Sequence, residues 1–255
     1  MLILKAIMVP IFIAMVTLAG RKWGHVVAGI LAGFPIVAGP IIIFVTLDHG
    51  TTFGQQAALA AINGVLALII FTITFCWVCS RFPLLLSILI ASIAWLLGAL
   101  IIQAISPGLI LSALLSTAAL TLAFFLLPKT GELSPRKAHF KDMPWRMAIG
   151  AILTLAITTL ASQLGSIWSG TLAVFPVIGL VLASFVFLAD GPDHVIEMYR
   201  GMLAGLYTFV TFFVVLASVW PASSIWEACL MAITISLIVQ LTVQLLLKRF
   251  KPGTS

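Results

Sequence analysis

The chain has 255 residues, 62% of them hydrophobic and 8% charged, with a net charge of +6. With a mean hydropathy of +1.26, this composition excludes a soluble globular domain and predicts a polytopic, all-α membrane protein. The basic excess is a topology signal, because Lys and Arg are retained in cytoplasmic loops, and no nucleic-acid partner is expected.

Apolar runs bounded by charges or Gly/Pro turns predict about nine spans. The first covers residues 2–19. Lys5 before an apolar run ending in small residues also suits a secretory leader, but the run has a counterpart later in the chain. The second span, 25–48, contains AGILAGFPIVAGP and places Pro35 near the bilayer midplane. Spans three to five cover 55–79, with Asn63 well inside it, 83–103 and 107–127. Residues 128–144, PKTGELSPRKAHFKDMP, read as a cytoplasmic linker rich in proline, lysine and turn formers. Spans six to nine cover 145–163, 166–189, 195–219 and 223–247. The chain thus divides into residues 1–127, the linker, and 145–255 with a basic tail.

This map places Arg21, Lys22, Arg81, Lys129, Arg136, Lys137, Lys141, Arg146, Arg200, Lys248, Arg249 and Lys251 on one side, against Lys5 on the other. The basic side is cytoplasmic, so the N-terminus is expected outside and the C-terminus inside. Trp23, Trp77, Trp145, Trp168, Trp220 and Trp226 fall near span ends, where amphipathic rings favour the headgroup level; Trp95 is mid-span.

The two halves repeat. Gly24-HVVA-Gly29-ILAG-Phe34-Pro35 aligns without gaps on Gly165-SIWS-Gly170-TLAV-Phe175-Pro176, an offset of 141 residues (176 − 35), and Gly50/Gly191 and Gly64/Gly205 keep it. Five spans precede the linker, so the second copy enters the membrane in the opposite sense. The expected plan is two inverted repeats, four spans plus one connecting span plus four, with helices 2 and 7 broken at proline. Inverted repeats with interrupted helices at matching positions are the architecture of alternating access. Phe34, Pro35, Asn63, Phe175 and Pro176 are therefore the expected substrate pathway. Gly29-xxx-Gly33 and Gly201-xxx-Gly205 are expected to let helix backbones approach closely.

Ionisable residues in or near spans are the candidates for a gate or for ion coupling. They are Asp48, His49, Asp190, Asp193, His194, Glu197, Arg200 and Glu227. In ADGPDHVIEMYR, Asp193, Glu197 and Arg200 share a helix face, and Glu197 and Arg200 can pair. Ordinary helix-start chemistry also accounts for this turn. A metal site of Asp190, His194 and Glu197 would lack a second ligand set. Cys76, Cys79 and Cys229 form no disulfide framework and read as packing residues.

Over Ala28-Gly29-ILAG-Phe34-Pro35 the sequence resembles the GlpM-type small bacterial membrane proteins, which share the AG-x4-FP spacing. In span 7 Ser169 replaces the alanine. The resemblance implies an inner-membrane location and a duplicated ancestor. The overall plan is also similar to drug/metabolite-type transporters with inverted halves, with a tenth span missing. The expectation is a bacterial inner-membrane secondary transporter, open to proton coupling and needing no cofactor, whose substrate is a small metabolite or a lipid-linked precursor. Membrane lipids surround it, and a homodimer is compatible with the plan. The other reading is an accessory subunit of envelope lipid or glycan synthesis. An enzyme is not expected, since no convergent set of acids and histidines is apparent.

Overall fold

The structure is a computed structural model that describes residues 2–131, 142–163, 175–220 and 222–250. Among the described residues there are ten helices and no strand. They are α1 (Leu2–Trp23), α2 (His25–Ala32), α3 (Ala38–His49), α4 (Thr51–Cys79), α5 (Leu84–Ile105), α6 (Leu109–Leu126), α7 (Met143–Gln163), α8 (Val177–Asp190), α9 (Pro192–Val219) and α10 (Ile225–Phe250). Five are long and apolar enough to cross a membrane: α4, α5, α6, α9 and, within α10, Ile225–Leu247. The protein is a helical membrane protein.

The span expected over 25–48 is two helices. Pro35 has no N–H and crowds the preceding turn, so α2 stops after Ala32. The chain restarts as Gly39 N–H donates to the Pro35 carbonyl at 2.7 Å. Pro40 then falls in the first turn of α3, where a missing N–H leaves no gap in the ladder. Separate turns divide the longer elements: Gly24, Gly50 and Gly191 join α1 to α2, α3 to α4 and α8 to α9 at φ 103°, 89° and 94°, a region that favours glycine.

α9 is the central helix, packed on α2, α4, α6, α8 and α10. It runs antiparallel to α4: Gln55 Nε2 donates to the Ala217 carbonyl at 2.7 Å near one end, and Phe75 lies against Tyr199 near the other, ring centres 5.7 Å apart. α1 and α7 are antiparallel as well, with Arg21 bound to Asp142 and Ile13 against Gly150. α5 lies on α4, and α10 on α9. Outward faces of α5, α6 and α10 are apolar, with Leu85, Ile110 and Leu245 all exposed, as a lipid-facing surface requires. Helices α7, α9 and α10 begin 141 residues after α1, α4 and α5.

Trp23, Trp77, Trp145 and Trp226 are exposed, as headgroup-level rings should be. Trp220 differs: its ring is 2% exposed because Gly54 of α4 leaves it a slot. Trp168 lies outside the described residues. Cys76, Cys79 and Cys229 are buried free thiols.

Candidate functional site

The first broken helix is pinned by glycines. α2 crosses α9 in parallel, and a Cβ on Gly29 would overlap the Met198 carbonyl oxygen, while one on Gly201 would overlap that of Val26 and one on Gly205 that of Ile30. A Cβ on Gly33 would sit 2.5 Å from the Met202 carbonyl oxygen. The two small-xxx-small motifs therefore face each other and bring two backbones into contact. Phe34 and Pro35 leave this crossing half-buried.

Phe175 and Pro176 lead into α8. Phe175 meets Trp95 of α5 edge-on, ring centres 5.0 Å apart, which explains the mid-span tryptophan. The repeat residues before them, 164–174, lie outside the described residues. The two breaks have Met202 as a common neighbour: its carbonyl faces Gly33, and its Sδ would lie 3.4 Å from a Cβ on Gly179.

A cleft of about 270 Å³ lies between α4 and α5, near the end of the bundle that carries Ser106 and Pro107. Of the five expected pathway residues, Asn63 alone lines it; Phe34 and Pro35 are half-buried at the first break, and Phe175 packs on Trp95. Gln56, Gln103 and Ser106 supply its other polar groups. Ser106 is the one described non-glycine residue with positive φ, at 44°, and its hydroxyl donates to the Gln103 carbonyl at 2.5 Å. The carboxamide oxygen of Asn63 is buried and accepts no hydrogen bond from the described residues. Such a group is costly unless something offers it a donor.

At the other end of the bundle, charged side chains join the helix ends. Asp142 accepts from Arg21 at 2.9 Å and from Arg146 at 2.6 Å, and the Arg146 guanidinium lies 4.9 Å over the Phe185 ring. His25 Nε2 lies 2.9 Å from Asp190 Oδ2. The buried His194 ring meets His25 edge-on, centres 5.0 Å apart. Glu197 pairs with Arg200 at 3.1 Å, the i, i+3 contact expected, and Arg200 also donates to the Pro128 carbonyl at 2.8 Å. Asp193 opens α9 beside Pro192, where an acid suits the positive helix end. The Asp190 and Glu197 carboxylates thus face different partners and do not converge with His194 as metal ligands would. Among the described residues no three His, Cys, Asp or Glu side chains converge in that way.

The opposite end is sparser. Asp48 and His49 are exposed at the end of α3, and His49 packs on Phe53, ring centres 5.1 Å apart. Glu227 closes a capping box: its carboxylate accepts from Ser224 N–H at 3.0 Å, and its own N–H donates to Ser224 Oγ at 3.3 Å. This S-x-x-E spacing is a capping signature that sequence reasoning passed over when it set Glu227 among the gate candidates.

Sequence reasoning used Arg21 and Arg146 only as topology markers and passed over His25 and Asp142. Gln56 went unremarked, and Gln103, nearer a span end than Asn63, was not among the expected site residues. Its place one helix away from Asn63 would have marked it only if the α4/α5 register were known. No family model matches the chain, and neither the curated proteins nor the solved structures yield a match.

Proposed function

We propose that the chain is a bacterial inner-membrane secondary transporter of a small metabolite or lipid-linked precursor. It spans the bilayer nine times as two inverted repeats about the connecting helix α6, with the N-terminus outside. The antiparallel packing of α1 with α7 and of α4 with α9, each pair related by the 141-residue offset, supports the inverted relation. Gly50 and Gly191, also one offset apart, share a backbone conformation.

The observation that carries transport is the difference between the ends of the bundle. The end with Arg21, His25, Asp142, Asp190, Glu197 and Arg200 is laced by the Arg21–Asp142 and Glu197–Arg200 ion pairs and the His25–Asp190 hydrogen bond, while the other end admits a cleft lined in part by Asn63. That is the arrangement of an alternating-access protein shut on its cytoplasmic side. Opening that side requires release of the Arg21–Asp142 pair and of the Arg200 contact with the Pro128 carbonyl. The protein has no catalytic step and no cofactor in this reading. If coupling is to protons, neutralising Asp48, Glu197 or Glu227 abolishes dependence on a pH gradient, and unchanged dependence in all three removes the coupling.

The side-chain-free α2/α9 crossing favours a second reading, an accessory subunit with a dry interior. A cysteine-accessibility scan over residues 28–40 and 169–181, in a background without Cys76, Cys79 and Cys229, separates the two. Gly29 and Gly33 are omitted, because any Cβ there meets backbone. Side-dependent labelling around Pro35 and Pro176 by a small water-soluble thiol reagent supports transport. Silence throughout both stretches replaces it with the accessory reading.

A further inference from the structure

The basic side chains at the Arg21 end of the bundle fall into two groups. Arg21, Arg146 and Arg200 are paired with Asp142 and Glu197. Arg81 and Lys129 are exposed and meet no carboxylate among the described residues. One hydrogen bond, from Trp77 Nε1 to the Leu126 carbonyl at 2.8 Å, clips the end of α4 to the end of α6. Arg81 follows Trp77 by one helical turn and Lys129 follows Leu126 by three residues, so the clip brings two sequence-distant cations to one corner. The bond uses the only donor of the indole, and the Arg81 guanidinium lies 5.3 Å from the centre of that ring. A cation resting on a ring face keeps its charge and its N–H donors. Below the corner, Leu122, Phe125 and Leu126 share an exposed apolar face of α6. The negative ends of α4 and α6 favour a cation apiece; the convergence of both on one indole, above a lipid-facing strip, suits a ligand with an anionic head and an apolar tail.

We infer that the α4/α6 corner is a binding site for an anionic phospholipid, with its phosphodiester between Arg81 and Lys129 and an acyl chain along Leu122 and Phe125. Arginine takes a phosphate through parallel N–H bonds, and lysine takes it as a point charge. A zwitterionic lipid brings its own cation to the same place and is disfavoured. The site requires only that the chain lies in a bilayer, so it stands apart from the transport reading.

The test is thermal unfolding of the purified full-length chain in neutral detergent with added phosphatidylglycerol, phosphatidylcholine of the same acyl chains, or soluble glycerol phosphate. Phosphatidylglycerol at about ten times its Kd is expected to raise the midpoint by about 2–4 °C, and the other two to leave it unchanged. Arg81→Gln and Lys129→Gln, both at exposed positions, should each reduce the rise and together abolish it. Lys22→Gln should preserve it, because Lys22 is also an exposed cation on a tryptophan, 4.9 Å over the Trp23 ring, but at the end of α1. No rise with phosphatidylglycerol, or equal rises with both lipids, overturns the assignment. So does an equal rise with glycerol phosphate, which makes the corner a plain anion site. A rise that survives the double variant, or that Lys22→Gln removes as fully, overturns it as well, leaving only diffuse surface charge.

Discussion

Gly201 of α9 lies against the main-chain carbonyl of Val26 in α2, with no space between them for a side-chain carbon. A mid-helix glycine costs about 1 kcal/mol relative to alanine, and close backbone packing offsets that cost. Gly201→Ala gains helix propensity but must force α2 away. We expect a net loss of about 1–3 kcal/mol, read as a lower thermal midpoint. Gly108→Ala is the control: nothing lies within 4 Å of a Cβ there, and since Gly108 caps the start of its helix its cost should be the capping loss alone, below about 1 kcal/mol. Equal behaviour of the two variants contradicts the packing account.

The Asp142 carboxylate fastens the end of α1 to the start of α7. Asp142→Asn leaves Arg146, only 7% exposed, without its counter-charge, and should cost about 1–3 kcal/mol. Asp142→Glu keeps the charge and should recover part of the loss. A neutral result for Asp142→Asn in denaturant or thermal unfolding means the pair is solvated and idle.

Thr208 Oγ1 donates to Gln240 Oε1 at 2.5 Å between α9 and α10, with both residues buried. A double-mutant cycle with Thr208→Val and Gln240→Leu should give a coupling of about 0.5–1.5 kcal/mol. Strict additivity of the two single variants means the hydrogen bond adds nothing across this interface.

The proposed orientation has its own check. A periplasm-dependent reporter fused after Gly50 or Ser106 should be active, and one fused after Arg81, Lys129 or the C-terminus silent. The reverse pattern overturns the orientation, and a mixed one overturns the span count.

Features that depend on a residue's own backbone chemistry were legible in the sequence. Pro35 marked the α2/α3 break because it removes a donor, and the two glycine motifs marked a close approach because a Cβ is excluded there. Their pairing with each other was not legible, since nothing local says which helices cross. The polar contacts between helix ends were hidden for the same reason: Arg21 and Asp142 are 121 residues apart, and His25 and Asp190 are 165 apart. Trp220 closes its helix at a span end as expected, but its burial was not legible, because the slot that holds it comes from Gly54 on another helix. Asn63 was recognisable by its depth in a span, whereas the cleft beside it depends on the separation of α4 and α5, which no single helix encodes.

The end of α6 is tied down through main-chain atoms: Trp77 Nε1 donates to the Leu126 carbonyl, and Arg200 to that of Pro128, both at 2.8 Å. Beyond the linker, Asp142 is tied just as firmly by side chains. The peptide between those anchors therefore joins two points already fastened to the bundle, and cutting it is expected to leave the packed helices together. Residues 1–131 and 142–255, made as two polypeptides, present complementary ends to one another. Co-expression of the two fragments is expected to yield the same bundle, held by the packing of α2, α4 and α6 on α9 in place of the covalent tether.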